Sequence, residues 1–223
     1  MKKTASIILG FMIFINFAVG ANAATFNGAD LFTVDLPEEF AVTSETESGF
    51  TFENGDGDTF YVSYEENAGE DIFCPENMSK KDIEKYTSDI SAGAKEVMKN
   101  YADGFDMEFT RQEKVKHQSG KTALVCQMKT TASKDGKTEV FYQTMYEFGG
   151  AKYKYTFTYT TSEDKNSDEF NKVFESINIV EDETPSKLDN LPGYAVMGVI
   201  ALLVVIGIVR FIRTPEKRKQ GKI

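Results

Sequence analysis

The side chains best suited to hold a metal ion are concentrated in one short, glycine-containing segment. Asn54, Asp56, Asp58 and Glu65 fall at positions one, three, five and twelve of a twelve-residue calcium loop. Oxygen ligands at this spacing suit a hard cation. The segment departs from the calcium pattern because position one is Asn, because Thr59 occupies position six, where glycine is needed, and because strand-like alternation follows. Two interpretations stay open: a calcium site at these four residues, and a polar hairpin turn, which the departures favour.

Nucleophilic catalysis would depend on a single imidazole. His117 is the only histidine, and Ser–His–Asp or Cys–His mechanisms need an imidazole to take the proton. It stands at the end of a predicted strand before Ser119 and Gly120, where we expect an exposed turn residue. The sequence also contains no GxSxG or Walker motif. We therefore predict no catalytic residue and no cofactor.

Adjacent acids offer a different chemistry, the hydrolysis of glycosidic bonds. Such pairs stand at Glu65-Glu66, Glu70-Asp71 and Glu163-Asp164. Glycosidases need two carboxyl groups at a defined separation in a cleft, whereas acids of a strongly acidic domain are mostly solvated surface. A carboxylate-dependent hydrolase is therefore the alternative to a non-catalytic protein.

The two cysteines, Cys74 and Cys126, lack the spacing of a zinc or redox motif. An oxidising compartment would permit them to form a disulfide, provided that their Cα atoms lie within about 7 Å. The alternative is a pair of partly buried free thiols, and the sequence leaves both open.

The first apolar segment has the three parts of a secretory signal. Lys2 and Lys3 precede a short apolar core, and Ala21-Asn22-Ala23 is a small-x-small cleavage site. We predict a signal peptide over residues 1–23 and a mature chain that begins at Ala24.

The second apolar segment predicts a transmembrane helix over residues 192–212. Residues 192–209 contain no charge, and about 20 apolar residues span the hydrocarbon core of a bilayer. The basic tail, residues 213–223, stays in the cytoplasm by the positive-inside rule, so the N-terminal bulk lies outside. Leu191-Pro192 resembles the start of a sortase motif, but Tyr194 and Ala195 replace its Thr and Gly. This favours a retained anchor.

Charge excludes one class of partner. Between the two apolar segments lie 17 basic and 34 acidic residues, a net charge of −17. Nucleic-acid binding requires Lys and Arg to displace counterions from phosphates. We therefore exclude nucleic acid as a partner.

Strand patterns dominate the segment between the signal and the anchor. Period-two alternation and turn residues predict strands over residues 32–36, 50–52, 59–64, 107–117, 121–131, 138–148 and 152–161. Most of the 18 Phe and 10 Tyr lie at core periodicity, which favours packing over a carbohydrate-binding platform.

Two segments switch to helical periodicity. Ser79 can cap the first, and its apolar stripe is Ile83, Tyr86, Ile90, Val97 and Tyr101. The second runs from about residue 167 to 176, with a stripe of Phe170, Val173, Phe174 and Ile177. The predicted fold class is α+β: an antiparallel sheet of about six to seven strands covered by two helices, plus the C-terminal transmembrane helix.

The order of these elements resembles the PsbP/Mog1-like fold. The likeness rests on residues 32–40 (FTVDLPEEF), on residues 153–159 (YKYTFTY) in a late strand, and on the closing helix, residues 169–177. It implies a helix–sheet–helix sandwich and a domain that binds or assists other proteins; it bears on fold alone.

Together these patterns predict a domain order and a function. The order is a signal peptide (1–23), an extracytoplasmic α+β domain (24–180), a polar linker (181–191), a transmembrane helix (192–212) and a basic cytoplasmic tail (213–223). We expect a single-pass cell-membrane protein whose non-catalytic domain binds another envelope protein or a cell-wall component. A carboxylate-dependent envelope hydrolase and a calcium-regulated binding domain are the alternatives.

Overall fold

A computed structural model describes residues 23–67, 73–163 and 168–180. The predicted linker, transmembrane helix and basic tail, and all but the last residue of the predicted signal peptide, lie outside this range. None of the helices in the described part of the chain has both the length and the apolar character that crossing a membrane requires.

The described residues form strands for the most part, with two α-helices and one short 3₁₀ turn. The strands are β1 (Ala23–Gly28), β2 (Phe32–Pro37), β3 (Ala41–Thr46), β4 (Gly49–Glu53), β5 (Thr59–Glu66), β6 (Gly104–Lys116), β7 (Thr122–Lys134), β8 (Lys137–Gly149), β9 (Tyr153–Thr161) and β10 (Asn178–Ile179). The helices are α1 (Lys80–Met98) and α2 (Asp168–Ser176), and the 3₁₀ turn is Pro75–Asn77. The predicted α+β class with two helices is confirmed.

The strands form two antiparallel sheets. The larger has the order β3-β4-β5-β9-β8-β7-β6, and the smaller has the order β1-β2-β10. The expectation of one sheet was therefore wrong. Strand β2 pairs with two strands from opposite ends of the domain, Ala23↔Pro37 with β1 and Asn178↔Thr33 with β10. Neither partner was predicted, because β1 lies at the expected cleavage site and β10 has only two residues.

The two faces of the large sheet carry separate cores. Alternation along β7 sends Leu124 to one core and Val125 to the other. The first core packs under α1. The second is rich in Phe and Tyr rings and packs under the small sheet and α2, whose predicted apolar stripe is buried as expected. Burying an aromatic or aliphatic side chain contributes about 1.5–3 kcal/mol, so these two cores hold the layers together.

The predicted apolar face of α1 is confirmed as far as Val97, which is half-buried against the first core, and is wrong at Tyr101. Ile83 and Ile90 are buried, but Tyr101 lies beyond the helix and is 45% exposed. Ala94 and Met98 continue the buried stripe instead. They follow Ile90 at spacings of four, which keeps the stripe on one side of the helix.

Candidate functional site

The start of α1 is fixed to the edge of the large sheet. The Ser79 hydroxyl accepts a hydrogen bond from the Asp82 amide, and the Asp82 carboxylate accepts one from the Ser79 amide, which completes a capping box. Just before the cap, Lys114 Nζ on β6 donates to the carbonyl of Met78 (2.8 Å) and to that of Glu76 (3.1 Å). These contacts determine where the helix begins beside β6.

The middle of α1 is fixed by a buried polar network. Tyr86 on α1 donates a hydrogen bond to Oε1 of Glu147 on β8 (2.6 Å). Lys154 on β9 donates to the Tyr86 hydroxyl (2.6 Å) and lies 2.5 Å from the same carboxylate oxygen. The Glu147 and Lys154 side chains are 0% and 4% exposed. A buried ion pair is tolerated when further hydrogen bonds satisfy its members. Here the Tyr86 hydroxyl serves both members, whereas Glu147 Oε2 is buried without a hydrogen-bond partner among the described residues.

A cover of aromatic rings seals this network from solvent. The Phe73 ring lies 4.5 Å from Lys154 Nζ and the Tyr86 ring 5.1 Å, which adds cation–π attraction. The chain at Phe73 can lie this close because β8 presents Gly149, where a Cβ atom would stand 2.0 Å from the Phe73 carbonyl oxygen. Burial, and then the negative charge of Glu147, raise the pKa of the Tyr86 phenol well above its ordinary value. The phenol therefore stays protonated and acts as a structural donor.

The other side of α1 faces an open groove against the edge strand β6. The groove consists of two hollows of about 460 Å³ each, which share Glu84, Phe109 and Gln112. Ile83 and Phe109 supply apolar walls at one end. The Thr87 hydroxyl donates to the side-chain oxygen of Gln112 (2.9 Å) and links helix to strand where the hollows meet. This groove is the concave surface of the described residues that we take as the candidate binding site.

Three of the residues predicted as a calcium site, Asn54, Asp56 and Asp58, lie together in one turn, and Glu65 lies apart from them. Oδ1 of Asn54 accepts hydrogen bonds from the backbone amides of Asp56 (3.0 Å) and Asp58 (2.9 Å), while Asp58 accepts from the Tyr159 hydroxyl (3.0 Å). Asn54 thus closes a hairpin turn upon itself. Glu65 stands near the far end of β5, about 20 Å away at the rise of an extended strand. Across the described residues, no group of three or more acidic, Cys or His side chains has the geometry of a metal site.

Glu65 instead neighbours the buried network, because its partner across the β5–β9 ladder is Lys154. Burial and repulsion from Glu147 raise the pKa of the Glu65 carboxyl, and attraction to Lys154 only partly opposes them. Of the other predicted acids, Glu66 ends β5 and Glu163 follows β9, whereas Glu70, Asp71 and Asp164 lie outside the described residues.

Both cysteines are buried free thiols, which is the second of the two interpretations left open. Cys74 accepts a hydrogen bond from the Asn77 side chain (3.2 Å). Burial, and then the negative charge of Glu147, raise the pKa of the Cys126 thiol strongly. Since the thiolate is the nucleophile, Cys126 is chemically inert in the folded protein.

His117 is buried, so the expectation of an exposed turn residue was wrong. One ring nitrogen lies 2.8 Å from the Phe174 carbonyl and the other 2.8 Å from the Ser119 hydroxyl. The ring also packs edge-on against Phe148. His117 therefore joins the β6–β7 turn to the end of α2.

The sequence interpretation missed the two residues at the centre of the network. Lys154 belongs to the polar half of the alternation along β9, and Glu147 lies within a largely apolar strand, so neither was singled out from the sequence. A usable signal was present: an acid and a base on two strands joined by the Gly149-Gly150 turn, each between aromatic neighbours. Opposite charges that flank such a turn can pair across it.

Comparisons with known proteins give no family for this chain. No protein-family profile and no curated protein matches the sequence. A solved structure from Bacteroides thetaiotaomicron is similar over 71% of this chain and 49% of its own length, with 12% identity and a TM-score of 0.44. A Pseudomonas aeruginosa protein of unknown function is similar over 63% of this chain and 83% of its own, with 11% identity and a TM-score of 0.26. The chain thus spans about half the length of the first of these structures.

Proposed function

We propose that this protein is a non-catalytic binding module of the cell envelope. In this proposal residues 192–212 hold it in the cytoplasmic membrane, with the α+β domain outside and the basic tail inside. The domain contacts another envelope protein through the groove between α1 and β6. The resemblance to PsbP/Mog1-like domains, which implies binding or assisting other proteins, agrees with this assignment.

The observation that carries the proposal is the position of the groove. It lies between a helix that is fixed at two points and the last strand of the large sheet. Its walls combine apolar side chains with exposed polar ones, which is the usual make-up of a binding cleft. The acid, base and phenol of the buried network stand beneath the helix, where their burial suits them to position α1 instead of touching a solute.

Site-specific photo-crosslinking in native membranes tests the proposal. A photoreactive residue replaces Ser88, which is exposed and lines the groove, in the full chain; the matched control replaces exposed Lys137 at the β7–β8 turn. We expect one discrete crosslinked protein from position 88 and none from position 137. Empty or identical patterns at both positions would contradict the proposal.

The orientation is tested separately. Protease added to intact protoplasts is expected to remove the domain and to leave the basic tail protected inside. A tail that is cleaved, or a full chain that fractionates without detergent, would contradict the anchor.

A further inference from the structure

The edge strand beside the groove is long and has no strand partner on its outer side within the described residues. Strand β6 has 13 residues, pairs with β7 alone and ends the order of the large sheet. An unpaired edge presents a row of N–H and C=O groups that can pair with another extended chain. The other edge strand, β3, has six residues and no helix packed beside it to form a groove.

The stretch of β6 that borders the groove is the most exposed part of the strand. Thr110, Arg111, Gln112, Glu113 and Lys114 are all exposed. Thr110 is an extra residue in the ladder, because the register with β7 shifts between Phe109 and Arg111. Bulges of this kind bend a strand and re-aim its side chains. Here the bulge lies beside the hollow that Ile83 and Phe109 line.

The charge of the groove is opposite to that of the domain. Its lining includes four cationic residues, Lys80, Lys95, Arg111 and Lys114, and one acidic residue, Glu84. The segment between the apolar runs has a net charge of −17. An acidic occupant is therefore repelled by most of the surface and attracted here, which favours the groove as its docking point.

The ion pairs that these cations make are easily replaced. Lys95 lies 3.0 Å from Asp106, Lys80 lies 3.8 Å from Glu84, and Arg111 pairs with its strand neighbour Glu113. All six side chains are about half exposed or more. Exposed pairs contribute only about 0–1 kcal/mol. A carboxylate from a bound segment can therefore take the place of Glu84 or Asp106.

We propose that the groove binds an extended, acidic peptide segment of a partner protein, which adds to the large sheet as an eighth strand along β6. This inference rests on the proposed function and names its partner class. Strand addition satisfies the outward backbone groups of β6 and leaves alternate side chains to be selected. In this proposal, the side chains of the bound peptide that face α1 have two kinds of contact available. Apolar ones enter the hollow at Ile83 and Phe109, and acidic ones pair with Lys80 and Lys95.

A defined peptide pair provides the probe. The first peptide is a fluorescein-labelled six-fold repeat of Glu-Val; the second has the same length but carries proline at every fourth position, which removes amide donors and blocks strand pairing. We expect the full chain to bind the first and not the second. A six-fold Lys-Val repeat is expected not to bind.

Charge reversal then locates the binding. The double variant Lys80→Glu/Arg111→Glu is expected to weaken binding of the Glu-Val peptide by about fivefold or more in total, since each exposed charge contributes up to about 1 kcal/mol. The matched control is Lys129→Glu/Lys137→Glu, two exposed cations outside the groove lining. The control is expected to bind within about twofold of the parent chain. Equal weakening in both double variants would overturn the assignment to this groove.

Amide hydrogen exchange tests the strand itself. Peptide binding is expected to slow exchange at residues 108–114 of β6 and to leave β3 unchanged. Binding without protection in β6 would overturn strand addition. Strand β6 could also be protected in the peptide-free chain. If that protection disappears when residues 181–190 are replaced by a neutral linker, the occupant is this segment and not a partner protein. If it depends on protein concentration, the occupant is a second copy of the chain.

These outcomes separate the two proposals. If position 88 captures an envelope protein but β6 gains no protection, the binding function stands and strand addition fails. If no position on the domain captures a protein and the Glu-Val peptide does not bind, both fail.

Discussion

Tyr86 and Glu147 join α1 to the large sheet through a 2.6 Å hydrogen bond that is buried between the helix and β8. Lys154 completes the arrangement by donating to the same phenol oxygen. Tyr86 lies on the buried side of α1, and the other side of the helix forms one wall of the groove. This contact therefore sets the position of the groove and also stabilises the core.

Removing the phenol oxygen should loosen that attachment. Tyr86→Phe deletes a hydrogen bond to a charged group, and such bonds contribute about 1.5–3 kcal/mol. We expect the free energy of unfolding to fall by that amount. Urea denaturation followed by near-ultraviolet circular dichroism measures it, with the exposed Tyr101→Phe as control. An unchanged midpoint for Tyr86→Phe would show that the bond does not contribute.

The buried ion pair should show strong coupling. Lys154→Met leaves a buried carboxylate without its cation, and Glu147→Gln leaves a buried ammonium without its anion, so each is expected to cost about 3–5 kcal/mol. The double variant removes both charges and should cost much less than the sum. Denaturation of all four chains measures the coupling.

An exposed pair serves as the comparison for that cycle. Lys85 and Asp89 are 3.9 Å apart and about half exposed. Lys85→Met and Asp89→Asn should be additive within about 0.5 kcal/mol. Additivity at the buried pair as well would refute the role given to Lys154 and Glu147.

The raised pKa of Glu65 predicts a specific pH dependence. Because the folded-state pKa lies above the ordinary value of 4.5, the folded state binds the proton more tightly than the unfolded chain. The resulting stability is complete below the ordinary pKa and is lost as pH rises through the folded pKa. Glu65→Gln should therefore be more stable than the parent chain at pH 7, with the advantage vanishing at pH 4.

Thermal unfolding between pH 4 and 8 tests this. Glu66→Gln, at the exposed end of the same strand, is the matched control. A Glu65→Gln chain that is less stable than the parent at pH 7 would show that attraction to Lys154 outweighs burial.

The capping box at Ser79 should stabilise the start of α1. Ser79→Ala removes the side-chain oxygen that accepts the Asp82 amide, a change that typically costs about 1 kcal/mol. Ser88→Ala, in the exposed middle of the same helix, should cost nothing because alanine favours the helix. Chemical denaturation of the two variants compares them directly; equal effects would argue against the capping box.

The burial of both cysteines predicts how they react with a thiol label. Burial of both thiols, and the raised pKa of Cys126, should leave the folded chain unreacted by a maleimide at pH 8 over minutes. In denaturant and without reductant, intact mass should show two added labels. Fewer than two labels until a reductant is added would reveal a disulfide.

Local patterns in the sequence predicted most of the longer helices and strands, but they did not predict which strands pair over long distances in the chain. The Thr138–Phe148 alternation and the Phe170–Ile177 stripe report burial directly, so β8 and α2 were found. The separation of β2 into a second sheet depends on β10, about 145 residues later in the chain, and two residues carry no recognisable pattern.

The site was harder to predict for the same reason. The groove exists because α1 runs beside β6, and the network exists because β8 and β9 place Glu147 and Lys154 under Tyr86. Both are properties of packing between elements. His117 illustrates the converse, since a residue at a turn is exposed by default and becomes buried only through contact with α2.

The pairing of β5 with β9 has a consequence for the order of folding events as the chain emerges from its N-terminus. Thr59 pairs with Thr160, so the β4–β5 hairpin keeps an open edge until about a hundred further residues have been made. The β6–β7–β8 meander, whose partners are close in sequence, can form in the meantime, because short loops close at low entropic cost. The last two strands to arrive, β9 and β10, then join the early and middle parts of the chain, so the final cooperative step waits until these two strands have emerged.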